Sequence, residues 1–411
     1  MRVTIIVARF GVDFAGGSER EALEYATLLR DAGHEVTVYT STARDSGTWE
    51  NHYPSGPAQE DGISVIRFPT EGTRGDYWRS LDKKLHKYQA RMESPSGYAA
   101  GWEWIRAQGP YCPGLVDALK QAKADRFLYM TYLYYPVLAG AQVTPVQKNY
   151  LVPTLHDERP ARFYAIRSQV RRFRNLIWNT LEEGELAAQI WNVKGGVVVG
   201  APVASPEERP EADRLHSEES GSLDFARNAG AKPNDPPSAT QGGGDKVSEL
   251  LYIGRWDGGK GTDFLLSQLS QLRQLFDFKF TIIGSGSVGD LPDFARHLGF
   301  VDEEMKRDLL RRCSGLIVPS MLESFSIVTL EAMSMGCPVL LNGNNPVLAG
   351  HSHRSGCGLL YYDAPSFLDG ASRLLCATFD QKSLEQGRAY VSKNYSKSAV
   401  ATRLLQALEL N

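Results

Sequence analysis

The chain has 411 residues, 42% of them hydrophobic and 23% charged, and a formal net charge of −3. This length suffices for two domains that each bury their own core, and the near-neutral charge excludes a general nucleic-acid binder, whose surface would be strongly basic. Five cysteines are scattered without a CxxC pair, which favours free thiols in a reducing compartment over a disulfide framework or a structural zinc site.

The N-terminal part alternates short β-rich runs with amphipathic stretches. Residues 3–8 predict a core strand rather than a signal peptide, because Arg9 interrupts the apolar run. A glycine-containing loop leads into a helix predicted over 19–32, which Gly33 ends. Later strands are predicted at 35–40, 64–68, 126–130, 151–156, 175–178 and 196–200. This alternation predicts a parallel sheet with helices on both faces, in a domain of residues 1–203.

Residues 204–248 differ in composition from the rest of the chain. They are rich in Pro, Glu, Ser, Gly and Asp, and they lack periodicity apart from a short candidate helix at 223–229. This composition predicts a linker or insertion. A second alternating series fills 249–395, with strands predicted at 249–254, 278–283, 315–320 and 338–341. The last residues, 396–411, predict a solitary amphipathic helix.

The two series predict an α/β protein of two doubly wound, Rossmann-like domains that face each other across a cleft. Ligands of open α/β sheets bind at the carboxyl ends of the strands, so the cleft is the expected site. No run approaches the about 18 apolar residues of a membrane span. We expect a cytoplasmic protein, which leaves room for peripheral contact at the inner face of a membrane.

The string GSGSVG, residues 284–289, fits the G-x-G-x-x-G pattern of dinucleotide-binding folds. However, no helix opens inside the motif, and the turn follows the second strand of its domain where the fingerprint occupies the first. A tight turn at the cleft edge, with Gly284 as a donor-binding candidate, is favoured. An NAD(P)-dependent oxidoreductase stays as an alternative function.

The segment LLYIGRWDGGKGTDFLL places Arg255 and Lys260 beside glycines just after a predicted strand. Glycines let a backbone approach a ligand closely, and two cations beside them suit a diphosphate. The alternative is a surface loop with solvated cations. We favour the phosphate site.

The string MLESFSIVTLEAMSMGCPVL, residues 321–340, carries Glu323 and Glu331 with seven mostly apolar or small residues between them. A helix is predicted to start near 325, with Ser324 or Ser326 as its cap. The free N–H groups and the dipole of this helix make Phe325, Ser326 and Ile327 an anion-binding turn.

The spacing of the two glutamates argues against a hydrolytic pair. Eight helical residues separate their backbones by about 12 Å, whereas glycosidase carboxyls lie about 5 to 9.5 Å apart. The two glutamates are better suited to accept hydrogen bonds from the two ends of one ligand that carries its negative charge in the middle. A nucleotide sugar is such a ligand, because its diphosphate lies between two groups with hydroxyls. The alternative makes Glu323 an exposed loop acid and Glu331 a buried, paired acid.

A set of strings along the chain resembles glycosyltransferase family 4, the retaining GT-B enzymes also called group 1 glycosyl transferases. These are GG-S-E, LHDE, GR-x4-KG, IIGSGS, HLGFVDEEMKRDLL and PSMLESFSIVTLEAMSMGCPV, and together they cover most of the chain. The resemblance implies a GT-B fold, with the acceptor on the N-terminal domain, the donor on the C-terminal domain, and domain closure completing the site. It also implies that the last helix packs back on the N-terminal domain.

The resemblance implies roles for single residues. Glu323 would contact hydroxyls of the donor sugar, and Glu331 would bind the nucleotide ribose. Arg255 and Lys260 would hold the diphosphate and stabilise the leaving nucleotide. His156 of LHDE would lie near the donor sugar, with its role as acid or base left open. Further donor contacts are implied for Gly16, Gly17, Phe300 and Val301.

Two positions depart from the family pattern. Ser326 stands where glycine is common, which narrows the phosphate site or adds a hydrogen bond there. The usual downstream glutamate is missing from NNPVLAGHSHRSGCG, residues 344–358.

No metal or other cofactor is expected. The chain has no D-x-D string and no His/Cys cluster at zinc spacing. Arg255, Lys260 and the helix N-terminus would then stabilise the charge that develops on the departing diphosphate.

Two basic stretches, 77–92 and 159–175, have amphipathic patterns. Helices of this kind lie on anionic membranes or bind acidic lipid-linked acceptors, and the alternative is a domain helix with its charged face in water.

The sequence therefore predicts a retaining, metal-independent glycosyltransferase. It would transfer a sugar from a nucleoside diphosphate donor, with UDP favoured and GDP next, to a hydroxyl of a saccharide or lipid-linked acceptor in polysaccharide or glycolipid synthesis. A catalytically silent sugar-nucleotide-binding protein is the second alternative. The sugar, the acceptor, the linkage and the oligomeric state stay open.

Overall fold

The computed structural model describes residues 1–11, 16–204 and 248–409. The chain forms two α/β domains, each built on a largely parallel sheet, which confirms the predicted fold class. Most of the predicted linker, including its candidate helix at 223–229, lies outside the described residues.

The N-terminal sheet has eight strands in the order β3-β4-β2-β1-β5-β6-β7-β8. The edge pair β3–β4 is antiparallel, and the other pairs in this sheet are parallel. The strands are β1 (Arg2–Val7), β2 (Glu35–Ser41), β3 (Gly56–Glu60), β4 (Ile63–Phe68), β5 (Arg126–Met130), β6 (Asn149–Val152), β7 (Asn175–Trp178) and β8 (Val197–Val198).

Helices cover both faces of this sheet. The first helix buries the stripe that the sequence predicts, since Ala22, Ala26 and Leu29 are fully buried against the sheet. The helices are α1 (Gly17–Asp31), α2 (Asp76–His86), α3 (Gln89–Met92), α4 (Tyr98–Gln108), α5 (Pro113–Gln121), α6 (Tyr135–Gly140), α7 (Tyr164–Val170) and α8 (Leu181–Trp191).

The C-terminal sheet is parallel, with the order β11-β10-β9-β12-β13-β14. Its strands are β9 (Ser248–Ile253), β10 (Phe278–Ile283), β11 (Ala295–His297), β12 (Gly315–Val318), β13 (Val339–Asn342) and β14 (Leu359–Tyr361). Its helices are α9 (Thr262–Leu272), α10 (Glu303–Arg312), α11 (Ile327–Met335), α12 (Pro346–Ser355), α13 (Ala364–Leu375), α14 (Gln381–Tyr395) and α15 (Lys397–Ala407).

The last helix belongs to the core of the first domain. Val400, Leu404 and Leu408 are fully buried in the same apolar cluster as β1 and α1. The chain thus passes between the domains a second time, just before α15. This passage lies beside the first one, because the Val203 N–H donates to the Tyr395 carbonyl at 2.8 Å.

Three strands are absent from the sequence-based prediction, namely β3, β11 and β14. They lie at or next to the sheet edges, and β11 and β14 have three residues each, too few to show a clear period. The predicted strand at 151–156 ends early, because β6 stops at Val152 and Pro153 has no N–H to donate to a ladder.

The amphipathic stretch 159–175 follows the alternative of a domain helix, but only over part of its length. Only 164–170 is α-helical within it, and its apolar stripe is core, with Phe163, Ile166 and Val170 at 1% exposure or less. The stretch 77–92 folds as α2 and α3, which also bury their apolar side chains. The stretch 77–92 still exposes Tyr77 and Tyr88, and peripheral contact of either stretch with a membrane stays a prediction. Among the described residues, no helix combines the length and apolarity needed to cross a bilayer.

Candidate active site in the interdomain cleft

Side chains from both domains meet where the carboxyl ends of the two sheets face each other. His156 follows β6, the loop 254–261 follows β9, and Glu323 follows β12. The domains touch directly here, because Thr180 Oγ1 donates to the Ser324 carbonyl at 3.1 Å. Predicted site residues of both domains therefore line one cleft.

Lys260 and Glu323 form an ion pair in this cleft. Lys260 Nζ lies 2.6 Å from Glu323 Oε1. The neighbouring Gly261 makes this possible: its φ is +75°, and a Cβ there would lie 2.5 Å from the Pro319 carbonyl oxygen. Only glycine allows the loop to approach the end of β12 this closely.

Arg255 lies at the open side of the same loop. Its side chain is 69% exposed, and its Nε donates to Asp257 at 2.5 Å. Asp257 also accepts from the Lys260 N–H at 3.2 Å and so fixes the loop. Gly284 supports it from the neighbouring turn, since a Cβ there would lie 2.2 Å from the Gly254 carbonyl oxygen.

The N-terminus of α11 opens beside Glu323. Its N-cap residue, Ser326, has a left-handed backbone conformation, with φ 62° and ψ 64°. The expected side-chain cap is not made, because Ser326 Oγ pairs with Thr329 Oγ1 at 2.8 Å instead. First-turn N–H groups of α11 therefore have no side-chain partner from Ser326, and they point at the place where an anion would bind.

Glu331 is buried on α11 and is held by one cation from each domain. Arg20 Nη1, on the first turn of α1, lies 2.7 Å from Glu331 Oε1, and Lys306 Nζ, on α10, lies 3.0 Å from the same oxygen. Burial favours the neutral acid, but the charges of Arg20 and Lys306 outweigh it and lower the pKa of Glu331. The carboxylate is thus ionised, and its Oε2 has no bond to the described residues.

His156 faces the C-terminal domain across the cleft. Burial lowers the pKa of its imidazole, while the charges of Glu158 and Glu323 oppose this shift and those of Lys260 and Arg255 add to it. Charged groups of the C-terminal domain thus contribute to the electrostatic environment of His156. Its lowered pKa favours the neutral ring at physiological pH.

The remaining N-terminal candidates lie at the start of α1. Gly17 is exposed, and a Cβ there would meet no atom within 4 Å, so the backbone is open to a ligand. Gly16 differs, because a Cβ would lie 2.1 Å from Glu19 Oε2. It is needed for the local packing of Glu19.

The remaining C-terminal candidates differ in exposure. Phe300 is 66% exposed next to the partly buried Val301, before α10. Phe325 is buried instead, with its ring 5.3 Å from Tyr395 and its carbonyl accepting from His351 at 2.8 Å. Its side chain therefore cannot contact a ligand in the cleft.

The turn at 284–289 lacks the context of a dinucleotide fingerprint. The next regular element after β10 is the strand β11, with no helix between them in this described part of the chain. The glycines instead pack against the loop that carries Arg255, since a Cβ on Gly286 would lie 2.5 Å from the Trp256 carbonyl oxygen. The geometry offers no helix N-terminus for a pyrophosphate at this turn.

Two further carboxyls are buried in the N-terminal domain, on either side of Asn179. Glu183 accepts from the N–H groups of Leu155 and Asn179, both at 2.6 Å, and Asn179 Nδ2 donates to Glu21 at 3.2 Å. Burial raises the pKa of Glu21 and that of Glu183 to about 8, against these hydrogen bonds. Within the described ranges, no three His, Cys, Asp or Glu side chains come together as a metal-binding group.

Sequence reasoning missed Arg20 and Lys306. One signal for Arg20 was present: a cation in the first turn of a helix opposes the helix dipole unless an acid elsewhere holds it. Nothing in the sequence around Lys306 marks it as a site residue, because a lysine in a helix rich in charged residues usually faces solvent.

Comparison with known proteins agrees with this geometry. A family model described as Glycosyl transferases group 1 matches residues 248–376, the span of the Lys260–Glu323 and Glu331 sites. An uncharacterized glycosyltransferase of Methanocaldococcus jannaschii is 32% identical over 108 residues, which are 24% of this chain and 28% of that protein.

Two longer matches cover most of the chain. Glycogen synthase of Mycobacterium tuberculosis is 24% identical over 361 residues, 83% of this chain and 77% of that protein. Phosphatidyl-myo-inositol mannosyltransferase of Mycolicibacterium smegmatis is 25% identical over 347 residues, 82% of this chain and 74% of that protein.

Solved structures share the fold. Anabaena HepE in complex with UDP-glucose has a TM-score of 0.63 at 14% identity, covering 100% of this chain and 99% of that one. The Escherichia coli trehalose-6-phosphate protein bound with UDP-2-fluoro glucose has a TM-score of 0.63 at 12% identity, with coverage of 100% and 99%. The fold is therefore GT-B.

The fold is that of a two-domain GT-B protein. Its residues 248–376 match the group 1 glycosyl transferases, and the two relatives that align over most of the chain are a glycogen synthase and a mannosyltransferase.

Proposed function

We propose that this glycosyltransferase transfers a sugar from a nucleoside diphosphate sugar to an acceptor hydroxyl with retention of the anomeric configuration. The observation that carries the proposal is the Lys260–Glu323 ion pair, 2.6 Å long, which follows the carboxyl ends of β9 and β12. The N-terminus of α11 follows Glu323 in the chain, and His156 follows β6 of the other domain. The cleft would thus offer an anion site, a hydroxyl acceptor and a neutral imidazole, which suit a sugar bound through a diphosphate.

The donor nucleotide would lie along α11. Glu331 is ionised and keeps Oε2 unbonded to described residues while Oε1 takes both cations, which suits acceptance of a ribose hydroxyl. Exposed Phe300 and the neighbouring Val301 would border the base. UDP is favoured because two solved structures with this fold are complexes with UDP-glucose and UDP-2-fluoro glucose, and GDP is next.

The diphosphate would rest on the α11 N-terminus, with Gly17 facing it from the other domain. Arg255 is exposed enough to turn toward it, and Lys260 can exchange its contact with Glu323 for a phosphate oxygen. Glu323 would then be released to accept from donor-sugar hydroxyls. Two cations and a helix dipole stabilise the negative charge that develops on the leaving nucleotide, which supports transfer without a metal ion.

The acceptor would bind to the N-terminal domain, on the side of His156. Its neutral ring can accept a hydrogen bond from an acceptor or donor hydroxyl. The acceptor class is a saccharide or a lipid-linked saccharide.

The first test is donor binding. UDP-glucose, GDP-mannose and ADP-glucose are compared by thermal unfolding, since a ligand at 100 times its Kd stabilises the native state by about 2.7 kcal/mol. At least one should raise Tm, and Glu331→Gln should weaken that donor about tenfold, the loss of about 1.4 kcal/mol. Glu303→Gln is the matched control, because Glu303 is an exposed acid that pairs with Lys306, the lysine that also binds Glu331. No shift with any donor would refute the proposal.

Turnover separates an enzyme from a silent binding protein. Release of the free nucleotide is measured with and without saccharide acceptors, and the anomeric proton of the product is assigned by NMR. We expect release, a product of retained configuration, and full turnover in EDTA. Strict dependence on a divalent ion would refute the metal-independent mechanism, and binding without release would leave only sugar-nucleotide binding.

A further inference from the structure

A cavity of about 950 Å³ lies in the N-terminal domain. Its walls come from the segments that follow β2, β4 and β5, together with α4. These segments leave the carboxyl edge of the sheet, the same edge at which His156 follows β6. The cavity is therefore placed where an open α/β sheet binds ligands, and its volume is that of a small-molecule site.

The cavity adjoins the cleft through the loop after β5. Trp49, in the cavity wall, packs edge-on against Tyr134 with ring centroids 5.3 Å apart. Two residues earlier, Tyr132 donates to Glu158 of the LHDE string at 2.6 Å. The cavity wall and the His156 loop are thus joined by one short segment.

Several aromatic side chains line the cavity. Tyr77 and Tyr98 keep 62% and 41% of their surface exposed, and Trp102 is half-buried one turn along α4 from Tyr98. The rings of Tyr98 and Trp102 lie 6.5 Å apart. Exposed aromatic faces beside one another are suited to the C–H faces of sugar rings, which stack on them.

The polar groups in the wall are balanced in charge. Two acids, Glu71 and Glu103, are matched by two cations, Arg74 and Arg106. Arg74 makes one side-chain hydrogen bond to the described residues, from Nη1 to the Ser46 carbonyl at 3.2 Å, and stacks on Trp78 at 3.6 Å. Its Nη2 and the carboxylates of Glu71 and Glu103 can bind hydroxyls, and Glu103 already accepts from the Tyr77 hydroxyl.

We propose that this cavity binds the uncharged saccharide part of the acceptor. A balanced wall gives no net attraction to a polyanion, and the aliphatic side chains in the wall are short, with Val116 and Val143 the largest of them, so an acyl chain would find little surface. Aromatic faces with alternating acids and guanidinium groups suit a neutral polyol. The inference rests on the proposed transfer reaction but names a separate site, outside the donor groups around α11.

The test measures binding without a donor. Maltotriose, cellotriose, mannotriose and triacetylchitotriose are screened by saturation-transfer NMR and titrated by tryptophan fluorescence, with sucrose octasulfate and octanoate as the anionic and acyl probes. We expect at least one neutral trisaccharide to bind. Tyr98→Ala and Trp102→Ala should weaken it about tenfold, the value of one or two stacking contacts, whereas Tyr98→Phe keeps the ring and should bind like the parent protein.

Tyr88→Ala is the control, because Tyr88 is exposed at 55% but lies outside the cavity wall. Absence of binding by all four neutral sugars, equal binding by Tyr98→Ala, or binding of only the sulfated or acyl probe overturns the inference. Nucleotide release in the absence of acceptor is measured on the same variants. If release persists while sugar binding fails, only this cavity assignment falls; if donor binding fails while the trisaccharide still binds, the transfer proposal falls instead.

Discussion

Ser326 occupies a backbone conformation that disfavours every residue with a Cβ. Its φ of 62° belongs to the left-handed region, which costs a non-glycine residue about 1 to 2 kcal/mol. The family's glycine at this position thus has a steric reason, and the serine here offsets part of the cost through its hydrogen bond to Thr329.

This conformation predicts an order of stability between two variants. Ser326→Gly and Ser326→Ala both lose the hydroxyl, but only glycine relieves the left-handed strain. We expect the glycine variant to be more stable than the alanine variant by about 1 kcal/mol, measured by urea unfolding. An alanine variant as stable as the glycine variant would contradict the backbone assignment.

Glu21 predicts a pH dependence of stability. Burial raises its pKa to about 8, well above the unfolded value of about 4.3. The folded state therefore binds an extra proton between these values, so stability is highest below the unfolded pKa and falls as the pH rises toward 8. Glu21→Gln should flatten this fall and gain Tm over the parent protein at pH 9, with little difference at pH 5. Parallel Tm–pH curves for the two proteins would show that Glu21 does not titrate in this way.

At the scale of elements, α1 and α11 meet through Arg20 and Glu331. Each charge is unfavourable in its own helix. The Arg20 cation in the first turn of α1 opposes the helix dipole, and the Glu331 carboxylate on α11 loses hydration on burial. Each charge offsets the other's cost. The contact therefore fixes the distance between two helices of different domains.

A double-mutant cycle measures this coupling. Arg20→Ala, Glu331→Gln and the combination should give an interaction energy of about 1 to 3 kcal/mol in unfolding, because a buried acid that loses its cation is costly. The exposed pair Arg79–Asp76 is the control and should give about 0 to 1 kcal/mol. Additive effects of the Arg20 and Glu331 substitutions would mean that the pair does not hold the helices.

The sequence predicts the elements around the site better than the contacts within it. The loop of Lys260 and the start of α11 follow from long apolar strands and from glycine positions, which are local signals. The contact between Arg20 and Glu331 joins residues 311 positions apart, and no local pattern encodes such a distance. The basic stretch 159–175 shows the same limit: its local period indicates an amphipathic helix, but only the tertiary packing shows that the apolar stripe faces the core.

At the scale of the whole molecule, the C-terminal helix ties the two domains together. Leu404 on α15 is fully buried among residues of the N-terminal domain. The last eleven-residue helix is thus a structural part of the first domain, although the second domain separates it in sequence.

Leu404→Ala should destabilise the N-terminal domain by about 2 to 5 kcal/mol, the usual cost of such a core cavity. Hydrogen exchange should accelerate in β1 and stay unchanged in β12. Gln406→Ala, exposed on the same helix, should leave both strands protected. Faster exchange confined to the C-terminal sheet would contradict the packing of α15.

The paired passages between the domains have a mechanical consequence. The backbone N–H of Val203 donates to the Tyr395 carbonyl, so the two chain crossings are joined at one place, and we expect this place to act as the hinge of domain opening. Besides the Thr180–Ser324 hydrogen bond, charge pairs bridge the cleft, among them Arg20 with Glu331 and Glu182 with Arg354. Opening the cleft would expose these charges to water, where dissolved ions weaken their attraction, while the hydrogen bond at the hinge is unaffected. The mean width of the unliganded cleft should therefore increase with ionic strength. Small-angle scattering should show a radius of gyration that grows with added salt while the secondary structure stays constant.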